Sequence, residues 1–359
     1  MQQLLNGLFI GSIYALFAIG FTLVFGILDR LNLAHPAVFA ASAFMGIELV
    51  EGFGLSIWVA LPVVFVLGAV LGLIIERLGF RPLKNRPDAH FAGLISSIAI
   101  AGMIIALLQW RYGPNTRRFP AGSFPDDRYD VLGAQVTLVQ VVILVVSLAL
   151  VVGLTWLVAK SRLGRAMRAI AENPTAARVL GVNVDRVTAT TFAISSALGA
   201  VAGVLFAMNV NSAQLGMGSA IELKGLAVII VGGLGSLPGA LVGGLVLGLA
   251  EVFAVQYIGS SWRDLIAFGL LFAWLLGEAG SIAVARHFGL VVMLQGAAVA
   301  CLGKAVSAGL AFPIFYALFL VPAGDQLVPP LQTLTADMTM ALLALTGVPA
   351  HIEGVFITT

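Results

Sequence analysis

Long stretches without a charged residue dominate the chain, and its polar residues are gathered between them. Near-continuous apolar runs fall at about 3–26, 36–52, 54–75, 90–110, 132–159 and 187–209, followed by a glycine-rich pair at 222–236 and 239–258 and a further run at 262–278. A membrane-crossing helix needs about 20 apolar residues, and most of these runs reach that length. Strands of a membrane barrel alternate apolar with polar positions, and these runs do not alternate. Backbone facing lipid must bond to itself. The pattern therefore predicts an all-α, polytopic transmembrane helical bundle of about eight spans with extra C-terminal helices. The run 36–52 is short enough to suit a re-entrant segment as well as a span.

The pair 222–258 is interrupted by GGLGSLPGA at 232–240. Two readings of the break stand: a tight turn at the membrane surface, or irregular backbone lining a pathway. Glycines recur four apart elsewhere, at Gly7 and Gly11, Gly68 and Gly72, Gly199 and Gly203, Gly235, Gly239 and Gly243, and Gly244 and Gly248. That spacing lets helix backbones approach closely in lipid and predicts a tightly packed bundle.

Composition agrees. The chain is 60% hydrophobic and 10% charged, where a soluble domain carries about a quarter charged residues, and its mean hydropathy is +1.05. The net charge of +2 gives no reason to expect nucleic-acid binding. A single cysteine, Cys301, allows no disulfide within the chain, and the four scattered histidines have no metal-ligand spacing. No cofactor or metal is expected. Positive charge concentrates in two connections, at Arg77, Arg81, Lys84 and Arg86 and at Lys160, Arg162, Arg165, Arg168, Arg178 and Arg186. By the positive-inside rule both face the cytoplasm, and counting spans backward puts the N-terminus outside, in the periplasm.

The second basic connection has more structure than topology requires. In SRLGRAMRAIAENPTAARVLGVNVDRV (161–187), small alanines punctuate the arginines, Asn173-Pro174 can end one helical piece and start another, and Gly181 suits a helix stop. Two short helices lying on the membrane surface are expected, with a small-residue face that fits a groove on another protein.

This stretch resembles the cytoplasmic coupling loop of ABC-transporter permeases, in particular those of the branched-chain amino acid family. NGLFIGSIYALFAIGFTLVFGILDRLNLAH, ERLGFRPL and ELKGLAVIIVGGLGSLPGALVGGLVLGLAE resemble other blocks of that family in the same order, and the likeness covers about residues 1–278. One departure is Pro36 after His35, where the family usually has glycine. The resemblance implies an ABC-importer permease domain over 1–278, carrying branched-chain amino acids across the bacterial inner membrane. It implies two cytoplasmic ABC ATPase subunits, a second related permease and a periplasmic amino-acid-binding protein as partners. The chain holds no G-x-x-x-x-G-K-S/T phosphate loop, so it is expected to be no enzyme itself. The likeness implies an ATPase-docking surface at Gly164, Arg165, Arg168, Ala169, Glu172, Ala177 and Gly181. Charged residues inside spans are functional candidates by default. Candidate pathway residues are Asn6, Tyr14, Gly233, Gly235 and Glu251; for Glu251 a hydrogen bond across the bundle is the first reading and a pathway lining the second. Glu222 and Lys224 are expected near the membrane interface.

The last 80 or so residues depart from that pattern. FPIFYALFLVPAGDQLVPPLQ and LTGVPAHIEGVFI resemble exosortase, a multi-spanning cysteine peptidase-like family. The chain stops before the point where that family's cysteine, arginine and histidine are expected, and Cys301 lies upstream in another context. An inactive exosortase-like fragment is expected at 279–359. A membrane peptidase and a stand-alone secondary transporter are the alternative functions.

Overall fold

The computed structural model describes residues 1–257 except 85, 87, 125, 126, 132 and 234, together with 259 and short stretches between 291 and 358. The chain divides into two compact units, Met1–Leu271 and Phe272–Thr359. In the second, His351–Glu353 pairs antiparallel with Phe356–Thr358, and residues 335–340 are helical.

The first unit is a helical bundle. Its elements are α1 (Gln2–Leu28), α2 (His35–Glu51), α3 (Ile57–Ile75, prolonged by short helical turns to Leu83), α4 (Ala89–Tyr112), a hairpin of β1 (Arg128–Val131) and β2 (Ala134–Thr137), α5 (Leu138–Lys160), α6 (Arg162–Glu172), α7 (Pro174–Val179), α8 (Val184–Val210), α9 (Met217–Gly232) and α10 (Leu237–Tyr257). Six helices among the described residues are long and apolar enough to cross a membrane: α1, α3, α4, α5, α8 and α10. The expected count of about eight is therefore not reached there. The runs at 36–52 and 222–236 fold as the shorter helices α2 and α9, of 17 and 16 residues. The expected span at 262–278 lies outside the described residues.

Helices α1 and α8 are buried on nearly all sides, as a helix apolar all round should be. By contrast α3, α4 and α5 turn Trp58, Val66, Ile98, Met103, Trp110, Val145 and Trp156 outward, which is the pattern of a lipid-facing rim.

The recurring glycines lie at the helix crossings. A Cβ built on Gly11 would come 2.9 Å from the Gly244 carbonyl of α10, and one on Gly7 would come 2.7 Å from Leu249. Gly68 and Gly72 sit against α8, Gly199 and Gly203 against α2, and Gly243 against α9. In lipid, where the hydrophobic effect gives no drive between helices, such approaches supply the packing.

The two ends of the bundle differ. The connections 29–34 and 76–88, the α6–α7 segment and the turn after α9 share a basic end: Lys84 bonds Asp185 at 2.7 Å, and Gly26 abuts Gly235. At the opposite end Gln2 bonds the backbone of Gln135, and Arg117 bridges to Glu48 and Glu51 while pairing with the Ala213 backbone. The chain thus enters α1 at the end away from both basic loops.

The segment 29–34 dips into the bundle as non-helical backbone. The Leu33 amide donates to Ser97 Oγ on α4, and His35, the first residue of α2, is fully buried between Phe17, Phe21 and Gly199. Pro36 lies in the first turn of α2, where its missing N–H costs nothing. The departure from the family pattern at this position is compatible with helix entry.

Candidate functional site

The arginine-rich segment folds as two short helices set at an elbow. Ser161 accepts from the Gly164 amide at 2.8 Å and caps α6. Asn173 accepts from the amides of Thr175 and Ala176, both at 3.0 Å, and caps α7, with Pro174 in its first turn. Gly181 takes a positive φ of 85°, the left-handed turn that ends α7. Asn183 then caps α8 through the Arg186 amide at 3.0 Å. Each of these three helix starts therefore has a side chain that accepts from one or two of its orphan amides.

One face of the elbow is fastened to the bundle. Met167, Ile170 and Ala177 are buried, and Gly164 packs so closely on the carbonyls of Leu157 and Val158 that any side chain there would collide. Arg165 donates to the Lys160 carbonyl at 3.2 Å, and Arg168 donates to the carbonyls of Val158 and Ala159. These are last-turn carbonyls of α5, which lack helical partners. Ala169 is half-buried, while Glu172, Arg178 and Gly181 are exposed. At the tip stand Val179 and Leu180, 83% and 81% exposed. Sequence reasoning missed this apolar pair; the signal was two aliphatic residues directly before the glycine stop, off the buried stripe of either helix.

Behind the elbow opens a cavity of about 510 Å³, bordered by Arg30, Glu76, Arg81, Lys84, Arg178 and Asp185 among others. It joins both basic connections and the start of α8, with acidic and basic side chains mixed.

The other candidate residues lie along the bundle. Tyr14, midway along α1, donates to Glu251 Oε2 at 2.8 Å, and Lys224 donates to Glu251 Oε1 at 2.9 Å and to Tyr14 Oη at 3.3 Å. Glu251 is 1% exposed and Lys224 9%. Lys224 is therefore deep in the bundle rather than at the interface where the sequence suggested it, because α9 starts below the membrane end. Its partners hold α1, α9 and α10 together. Asn6 accepts hydrogen bonds from Gln2 at 3.3 Å and Gln140 at 3.5 Å near the opposite end. Gly233 and Gly235, with φ of 94° and 82°, shape the turn from α9 to α10 at the basic end. Among the described residues no group of three or more histidine, cysteine or acidic side chains could hold a metal ion.

Comparison with known proteins completes the site. Residues 3–275 match the model of the branched-chain amino acid transport system permease component family, and 233–359 match that of transmembrane exosortase. The chain is similar to the high-affinity branched-chain amino acid transport system permease protein BraD of Pseudomonas aeruginosa, at 36% identity over 77% of this chain and 93% of the relative. It is also similar to the permease protein LivH of the same kind of system in Escherichia coli K12, at 34% over 77% and 92%. A more distant likeness, 28% over 76% and 83%, is to the ribose import permease protein RbsC of Haemophilus influenzae. No solved structure matches. Six membrane-length helices, the capped elbow and these matches together place the chain in the branched-chain amino acid transport permease family, as a multi-pass membrane protein.

Proposed function

We propose that this chain is one membrane subunit of an ABC importer for branched-chain amino acids in the bacterial inner membrane, with its N-terminus in the periplasm. One of two cytoplasmic ATPase subunits grips the α6–α7 elbow, a second related permease completes the pathway, and a periplasmic binding protein delivers the substrate. The observation that carries this reading is the elbow itself: a basic, capped helix pair fastened to α5 whose apolar tip, Val179 and Leu180, is covered by none of the described residues. Two adjacent aliphatic residues held outward at the end of a basic elbow form an apolar spot rimmed by charge, a surface suited to burial against a partner.

In this assignment Gly164, Arg165, Arg168 and Ala177 seat the elbow on the bundle. Ala169, Glu172 and Gly181 border the ATPase surface with the tip. Asn6, Tyr14 and Glu251 brace the helices along the pathway, and Gly233 and Gly235 form the turn at its basic end. The permease domain runs over 1–278, and 279–359 is an exosortase-like appendage.

Replacing Val179 and Leu180 together with Asp tests the reading. The variant is expected to insert normally yet lose co-purification with the ATPase and lose amino-acid uptake. A variant that still co-purifies and transports refutes the docking assignment. The match at 233–359 supports a second reading, a membrane peptidase; processing of a substrate protein that stops in Cys301→Ser would favour it.

A further inference from the structure

The connection from α8 to α9 leaves the opposite end and descends into the bundle. After Val210, Asn211 turns left-handed with φ 48°, and the Ala213 backbone pairs with Arg117. Only a few residues later Gly218 lies against the Pro36 carbonyl and Ala40, on the first turn of α2, which itself begins at depth. Residues 214–216 therefore carry non-helical backbone into the membrane region. Such backbone is tolerated inside protein or beside a water-filled cavity. Gln214 and Gly216 are exposed, as are Asn211 before them and Ser219 after them, so no described part of this chain covers the strip. A polar cavity of about 370 Å³, lined by Thr116, Arg118, Val210, Asn211, Ser212 and Gln214, opens at the head of this strip.

Glu222 lies at its foot. It is two residues before Lys224, whose ammonium meets Tyr14 midway along α1, so its backbone stands about 3 Å along α9 from that of Lys224. Two residues apart on a helix point to nearly opposite sides. Lys224 turns inward to Glu251 while Glu222, half-buried, has no hydrogen bond or ion pair among the described residues. A carboxylate facing lipid at the centre of a span costs about 2.5–3.5 kcal/mol, which favours a polar surrounding for Glu222. We infer that Asn211, Gln214, Ser219 and Glu222 line the half of the translocation route away from the basic loops, and that Glu222 receives the α-ammonium group of the amino acid in transit. The inference rests on the amino-acid permease reading above and adds to it a residue and a ligand group.

The test uses the full chain in membranes where it supports leucine uptake. Ser219→Cys on a Cys301→Ser background is expected to react with a charged, membrane-impermeant thiol reagent, as Gln214→Cys does, whereas Met103→Cys on the lipid-facing side of α4 does not. Glu222→Gln is expected to lower leucine uptake about tenfold, the loss of one charge-assisted hydrogen bond, with Ser219→Cys reactivity unchanged; Glu222→Asp retains most of the uptake. An unreactive Ser219→Cys beside a reactive Gln214→Cys overturns the wet strip. Wild-type uptake in Glu222→Gln overturns the ammonium site. A wild-type chain that carries no branched-chain amino acid at all refutes the permease-substrate reading instead, and the cysteine reactivities then still decide whether the strip is wet.

Discussion

The Tyr14–Lys224–Glu251 node and the α6–α7 elbow hold polar groups in opposite ways. At the node, charge is sealed inside a glycine-packed bundle and answered by charge, so every partner depends on the others. At the elbow, side chains and caps satisfy the local backbone, and the remaining groups face outward. The difference teaches where each mutation should register. Faults in the node should appear as lost folding stability, and faults at the elbow's tip as lost association with the fold intact.

The largest effect should come from Glu251→Ala. It strands a buried ammonium, which costs about 3–5 kcal/mol, and the thermal midpoint of the purified chain should fall sharply. The double replacement Lys224→Met with Glu251→Leu should recover much of that loss; if it is no better than the single variant, the node is not an isolated pair. Next, Gly248→Leu puts a side chain where the Gly11 backbone already lies. Overpacking of this kind costs about 1–3 kcal/mol, seen as a lower midpoint or poor expression. Asn173→Ala removes the α7 cap and should cost about 1 kcal/mol, read as faster proteolysis at the elbow with the bundle unaffected. Lys84→Met breaks an ion pair whose side chains are more than a third exposed. It should change stability by about 0–1 kcal/mol, and a larger shift would mean the basic end is more tightly locked than its exposure indicates. Leu180→Asp should leave the midpoint where it is and act only on ATPase association. A fall in stability there would erase the contrast between the two regions.

Much of the bundle can be read from the sequence because lipid imposes simple rules. Apolar runs longer than a bilayer became α1, α3, α4, α5, α8 and α10. The four-residue glycine spacing became the α1–α10, α3–α8 and α2–α8 crossings, since only small residues permit those approaches. The elbow was visible in Asn173-Pro174 and Gly181, whose backbone preferences are local.

What sequence does not carry is depth. Lys224 lies near the start of a short apolar run and so looks interfacial. It is buried because 214–216 first descends before α9 begins, and nothing in the local residue pattern announces that descent. The pairing of Lys224 with Glu251 depends on the register of α9 against α10, which the turn at Gly233 and Gly235 sets. The exposed aliphatic tip escaped notice for a related reason: Val179 and Leu180 look like ordinary apolar residues until the helices around them show which side is covered.

The clasp of Arg165 and Arg168 on the last carbonyls of α5 has a mechanical consequence. It ties α6 to α5 end to end, while α7 passes to α8 through the left-handed turn at Gly181, closed by the Val182 amide on the Ala177 carbonyl at 3.0 Å. A sideways push on Leu180 would then reach α5 through α6 and α8 through the turn at Gly181. The elbow is thereby a crossbar between two unlike helices, one whose outer face meets lipid and one rooted in the middle of the bundle.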